Sequence, residues 1–342
     1  DLEWVQIECN EIPGPARNVY KGTGTYTWNG LSNDTAYTFT VKAADTNSNR
    51  SAAVTIGPVT PRDSAEGTVS YMPVEGDPSR VWEIHTFTAS VTLTFSTNDP
   101  VTADYLIVAG GGGAGGDQNS NINTDFAGGG GAGGLMYKTG AALSPQGGVL
   151  QITVGAGGAG GQKQTQGTDG EPSAIGTIEV PGGGGGGGAF TDMNGRPGGS
   201  GGGGGAGNVD AHGNGGARSS GDPAILGNRG GNGAGGKLNA DSGGGGGGAR
   251  GQGTDSPDSS YNALAGGAPW DAAVEGASWL VDATGTAAFS RGGNGGGRNA
   301  PQGGKAGVNY GDGGSGGNNR QQPGGAGHSG IVVIRFQRPA TP

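Results

Sequence analysis

The chain has 342 residues, 85 of them Gly and 18 Pro, and a formal net charge of −9. Charged residues make up 14% and hydrophobic residues 31%, against about 25% and 45–50% in ordinary domains, so a single conventional apolar core for the whole chain is excluded. An acidic chain without a basic run lacks the cations that displace phosphate counterions, which excludes nucleic acid as a partner. The longest apolar stretches, 105–109 and 331–334, are too short to insert in a membrane. The one cysteine, Cys9, allows neither an internal disulfide nor a cysteine zinc site.

Residues 1–60 read as strands. Tyr37, Phe39 and Val41 alternate with Thr38, Thr40 and Lys42, the period of a half-buried strand. Asn29-Gly30 and Asn33-Asp34 are turn signals. The segment 28–54, WNGLSNDTAYTFTVKAADTNSNRSAAV, resembles the fibronectin type III family. Leu31 stands six residues before Tyr37, as in the tyrosine corner of that family, and Thr60-Pro61 looks like its exit. The resemblance implies a β-sandwich over 1–61. Such domains run to about 100 residues, so its first strands are degenerate or lie upstream of residue 1.

Residues 62–104 read as a polar, Pro-containing linker (to residue 80) and a small β connector, with strands at 82–88, 91–96 and 101–108. Composition then changes. Seven glycines precede residue 105, and 78 of the remaining 238 residues are Gly. Glycine runs recur from 110–116 to 324–327, separated by polar or mixed inserts that carry strand patterns at 135–138, 149–154 and 175–180. The strand 330–336, GIVVIRF, is apolar on both faces, as a strand buried on both sides must be. We expect it to pair with 103–109, so that the glycine region begins and ends at one sheet. A four-residue tail, 339–342, follows.

Collagen is excluded, because the run 155–161 has no every-third-residue register. Disorder suits the composition, but the runs are seldom diluted by Ser and are bracketed by two matching strands. The ordered alternative over 105–338 is a bundle of polyglycine-II helices, whose outward N–H and C=O groups must pair between neighbours that approach closely. The expected fold class is therefore mostly β plus a polyglycine-II helix bundle. A methyl group would push two such backbones apart, so Ala114, Ala132, Ala159, Ala206 and Ala234 are expected to face outward or line the rim.

The succession EIHTFTASVTLTFSTNDPVTADYLIVAGGGGAGG (83–116), GGGGAGGLMYKTG (128–140), ITVGAGGAGG (152–161), PGGGGGGGAF (181–190) and HSGIVVIRF (328–336) resembles the glycine-rich domain of bacteriophage tail fibre and adhesin proteins. The resemblance implies a rigid glycine scaffold whose variable inserts bind the host receptor. The inserts here are uneven, from six residues (237–242) to over forty (249–291).

Enzymatic motifs fail on context. Gly111-x-Gly113-x-x-Gly116 follows a strand but precedes no helix, so no nucleotide cofactor is expected. Gly198-x-Ser200-x-Gly202 and Gly313-x-Ser315-x-Gly317 lie inside glycine runs, and the three histidines, His85, His212 and His328, offer no evident triad. Asp169, Asp192, Asp241 and Asp312 read as solvated turn residues, and no metal site is expected. Aromatic rings anchor interfaces, which makes Tyr261, Trp270 and Trp279 of the long insert the first receptor-binding candidates and Phe126, Phe190 and Tyr310 the lesser ones. The alternative is that the rings of the long insert form its own small core. The resulting expectation is a non-enzymatic tail fibre or adhesin component of the virion. Its partners would be a host surface receptor (an outer-membrane protein or a glycan) and other tail proteins, in a homo-oligomeric or larger assembly. The rival readings are a bacterial surface filament subunit, an ice-binding protein and a surface depolymerase.

Overall fold

The structure, a computed structural model, describes residues 2–11, 17–20, 37–47, 49–59, 67–94, 99–117, 126–207, 211–234, 242–257, 262–297, 304–317 and 323–339. The chain divides into two compact units, one of Asp1–Glu66, Glu75–Val81 and Arg338–Pro342, the other of Gly67–Val74 and Trp82–Gln337. The composition step at residue 105 falls inside the second.

The first unit holds β1 (Leu2–Cys9), β2 (Arg17–Tyr20), β3 (Tyr37–Asp45) and β4 (Val54–Val59) in one antiparallel sheet of order β2-β1-β3-β4. Its register sets Val5 opposite Ala43 and Ile7 opposite Val41. Cys9, Tyr37 and Ala44 are buried. The two turn signals and Leu31 lie outside the described residues.

The second unit contains β5 (Thr68–Val74), β6 (Asp77–Phe87, from Trp82 on), β7 (Val91–Thr94), β8 (Val101–Val108), β9 (Leu135–Leu143), β10 (Val149–Thr153), β11 (Ser173–Ile175), β12 (Ile178–Val180), β13 (Trp270–Asp271), the helix α1 (Trp279–Thr284), β14 (Ala288–Phe289) and β15 (Ile331–Pro339, to Gln337). Residues 68–74, read from sequence as linker, are thus a strand. The segment 175–180, read as one strand, is the hairpin β11–β12 around Gly176, whose φ is +57°. The expected pairing of the end strands is present. β15 runs antiparallel to β8, with Ile331 opposite Val108 and Phe336 opposite Ala103. The five-stranded order is β5-β6-β15-β8-β9.

Both faces of β8 and β15 are covered, which explains their unbroken apolar sequence. Tyr105, Ile107, Val332 and Ile334 pack against Leu93, Leu150, Ile152 and Ile175 of a second sheet, of order β12-β11-β10-β7. Leu106, Val108, Ile331 and Val333 pack against Trp270, Trp279, Leu280 and Phe289. The long insert therefore folds onto the sheet. On that face the Arg335 guanidinium lies 4.2 Å from the ring centre of Trp82 and 4.1 Å from that of Trp279. It also pairs with Asp104 at 2.7 Å.

The expected polyglycine-II helix bundle is overturned. Regular structure among the described residues is almost all β-strand, with a single α-helix of six residues, and the glycine runs carry no helix. The runs lie side by side in an array, bonded mainly from one segment to another. From 110 to 116 the N–H donors rotate with period three. Gly110, Gly113 and Gly116 donate to Glu171, Thr168 and Thr165, Gly111 and Ala114 to His328 and Gly325, and Gly112 and Gly115 to Gly131 and Gly128. Its carbonyls accept from three other segments, through Gly183 and Gly186, Gly158 and Gly161, and Gly314. One segment is thus held by six neighbours. Every one of these bonds of 110–116 is backbone to backbone, which satisfies buried polar groups without side chains. High glycine content correctly implied close backbone approach, but it did not imply helices.

The alanine expectation is also corrected. Ala114, Ala132, Ala206 and Ala234 are buried, and of the five only Ala159 is exposed. The array accommodates a methyl group at chosen interior positions.

Candidate functional site at the loop end of the array

Backbone bonds fix which turns share an end of the array. At the sheet end, Ala109 donates to Gly134, Gly134 to Pro181, Gly199 to Gly182 and Gly330 to Gly155. At the other end, Gly116 donates to Thr165, Ala189 to Gly116, Gly207 to Ala211 and Gly296 to Ala127, and bridges join Phe126 to Ala206 and Ser242 to Ala234 and Gly297. Within the described residues, two loops at this second end are complete, 162–165 and 189–193.

The two loops are bonded to each other and to the array. Thr191 Oγ1 donates to the Gln164 carbonyl at 3.0 Å, Gly188 N to the Asp192 carbonyl at 3.1 Å, and Gln166 Nε2 to the Asn194 carbonyl at 2.7 Å. Among the described residues four non-glycines have positive φ, and three of them are here: Gln164 (+56°), Phe190 (+70°) and Asp192 (+46°). A side chain in that region carries a steric cost that the surrounding structure must impose, and such residues gather at binding sites. Phe190 is 50% exposed, a large ring held outward on a braced loop. Gln162, Lys163, Thr165, Thr191 and Asp192 are exposed beside it.

The other sequence candidates have different surroundings. Trp270 is 2% exposed and packs its ring 5.4 Å from that of Tyr137 and 6.0 Å from that of Phe289. Trp279 is buried at the start of α1, and its Nε1 donates to Tyr137 Oη at 3.3 Å. Both indoles therefore build the core at the sheet end. Phe126 is buried, and Tyr310 packs edge-on against His328 at 5.3 Å. Tyr261 and Asp241 lie outside the described residues. Asp312 is not a solvated turn residue. It is buried, and its carboxylate accepts from the N–H groups of Arg291 (2.8 Å), Asn309 (3.0 Å) and Val308 (3.4 Å). Ser200 is buried, and its Oγ accepts from Asn228 N.

This arrangement, glycine segments bracketed by β8 and β15, coincides with a known family. Residues 87–337 match the family model of the glycine-rich domain. The chain belongs to this glycine-rich domain family. No curated protein matches it. Within the glycine array of this domain most bonds run backbone to backbone, while the side-chain core is gathered at the sheet. No signal in the sequence singled out Phe190 from the other rings; what distinguishes it is where the run 182–188 ends.

Proposed function

We propose that the chain is a non-enzymatic component of a phage tail fibre or adhesin, and that the loop end of its glycine array binds the host cell surface. The observation that carries this reading is the half-exposed Phe190 on a loop with left-handed backbone, braced against a second loop by Thr191. Rigid scaffolds with recognition loops limit the ordering cost of binding. An exposed ring flanked by amide, hydroxyl and charged groups suits an outer-membrane protein or a glycan, where aromatic anchors supply much of the affinity. We read the N-terminal sheet, with its buried Tyr37, as a fibronectin type III-like spacer joining this domain to other tail proteins in a larger assembly on the virion.

The test is adsorption of the labelled, purified chain to a panel of bacterial strains. Retention on a subset of strains is expected, and Phe190→Ala should reduce it at least tenfold at unchanged melting temperature. Retention by no strain, or equal retention of wild type and variant, would overturn the reading.

A further inference from the structure

A second surface of the glycine-rich domain has a different chemistry. Residues of 291–294, 305–309 and 312–315 line a groove of about 350 Å³, within the size range of small-molecule sites. Arg291 and Lys305 line it, both exposed, and neither has a hydrogen bond or ion pair from its charged group among the described residues. On a chain of net charge −9, two cations and one acid on a single groove leave a positive excess there.

The neutral groups are donors as well. The Oδ1 of Asn294 already accepts from Gly266 N at 2.9 Å, and the Oδ1 of Asn309 accepts from Thr286 Oγ1 at 3.3 Å. Each amide therefore has its N–H groups left to offer. Ser315 Oγ accepts from Asn294 N at 3.4 Å, which leaves its hydroxyl hydrogen. Asp312, the one acid among the described lining residues, accepts from three backbone N–H groups and ties the wall at Arg291 to the wall at 308–309. It sets the shape of the groove, and it offsets one of the two positive charges.

We infer that this groove binds an acidic saccharide, a carboxylate on a hydroxylated ring. Arg291 and Lys305 would take the carboxylate, for which a guanidinium offers paired donors. Asn294, Asn309 and Ser315 would donate to ring hydroxyls. Among the described residues the lining of the groove is mostly polar or backbone. The site lies on residues separate from the loops at 162–165 and 189–193, and it is measured with a purified sugar, so it stands or falls independently of the adhesion reading.

The experiment is calorimetric titration of the full chain with trigalacturonate, maltotriose, glucose 6-phosphate and inorganic phosphate. Trigalacturonate should bind and maltotriose should not, with affinity falling as salt screens the cations. The double variant Arg291→Gln/Lys305→Gln should weaken binding at least tenfold. Arg291→Lys should lose less than the glutamine, and Lys138→Gln, on an exposed strand position elsewhere, should change nothing. Melting temperatures confirm that the variants are folded. Absence of trigalacturonate binding, equal binding of maltotriose, or an unchanged affinity in the double variant would overturn the site. Tighter binding of either phosphate compound than of trigalacturonate would overturn its assignment to a carboxylated sugar.

Discussion

Replacing Gly185 by Ala isolates the physical basis of the array. A Cβ built at Gly185 would stand 2.6 Å from the carbonyl carbon of Gly167, closer still to its oxygen, and 3.2 Å from the carbonyl carbon of Thr168. Real Cβ atoms essentially never approach within 3.0 Å, and the obstacle is backbone, which has no rotamer to yield. The segments 165–170 and 182–188 must part by roughly an ångström to restore ordinary contact. Three bonds span that seam: Gly167 N to the Gly186 carbonyl, Gly170 N to the Gly183 carbonyl, and Gly185 N to Asp169 Oδ1, all at 2.9 Å. Losing them at about 1–1.5 kcal/mol each costs about 3–5 kcal/mol. At about 2–4 °C per kcal/mol for a unit of this size, the melting temperature should fall by roughly 10 °C. Gly221 is the control, since nothing lies within 4 Å of a Cβ built there and its φ is outside the left-handed region. Gly221→Ala should be neutral or stabilise by about 0.5 kcal/mol. Differential scanning calorimetry of the two variants decides the matter. A Gly185→Ala protein melting within a degree of wild type would refute the argument that close backbone packing holds this region together.

Other perturbations address the core, the loops and the charges. Trp270→Ala should destabilise by about 3–5 kcal/mol in chemical denaturation, as expected for a buried indole, and should impair adsorption only where the protein unfolds. Phe190→Gly should do the reverse, raising stability by about 1 kcal/mol as left-handed strain is relieved, while adsorption is lost. Arg335→Leu leaves Asp104, 7% exposed and still accepting from Gly140 N, without its counter-charge and should cost about 3 kcal/mol, with Asp104→Asn in the same chain recovering part of that loss. Arg229 hydrogen-bonds Asp255 and holds its carboxyl below the ordinary value of 3.8. That contribution is present above 3.8 and lost as pH falls through the lower folded value. Asp255→Asn should therefore flatten the decline of melting temperature below about pH 4, where a carboxylate of ordinary pKa titrates.

The strands of the second unit were legible wherever apolar residues recur with period two or fill both faces. The 105–108 and 331–334 stretches announced their own pairing, because only a strand covered on two sides tolerates an unbroken apolar run. The glycine array was legible only in part. Composition implied backbones in close approach, but a run of identical residues carries no register, so it could not reveal which segment bonds to which. The buried alanines show how this went wrong: from sequence a methyl group looked excluded from the interior, yet Ala114 and Ala132 sit at full burial. Their neighbours are supplied by segments tens to hundreds of residues away, such as Gly325 and Gly247.

The same logic separates the two halves of the site problem. Ring count pointed to the long insert, where Trp270, Trp279 and Phe289 are needed to cover a sheet face that glycine segments cannot cover. Glycine has no apolar surface to bury, so the unit must gather its few large side chains at the sheet, and an aromatic-rich insert is drawn there by the hydrophobic effect. A ring left exposed away from the sheet, unlike the buried Phe126, is the exception to that pull. Phe190 is such a ring, 50% exposed and at positive φ where the array ends. In a scaffold held by backbone bonds, the rings that do not serve the core are the ones whose presence calls for a partner.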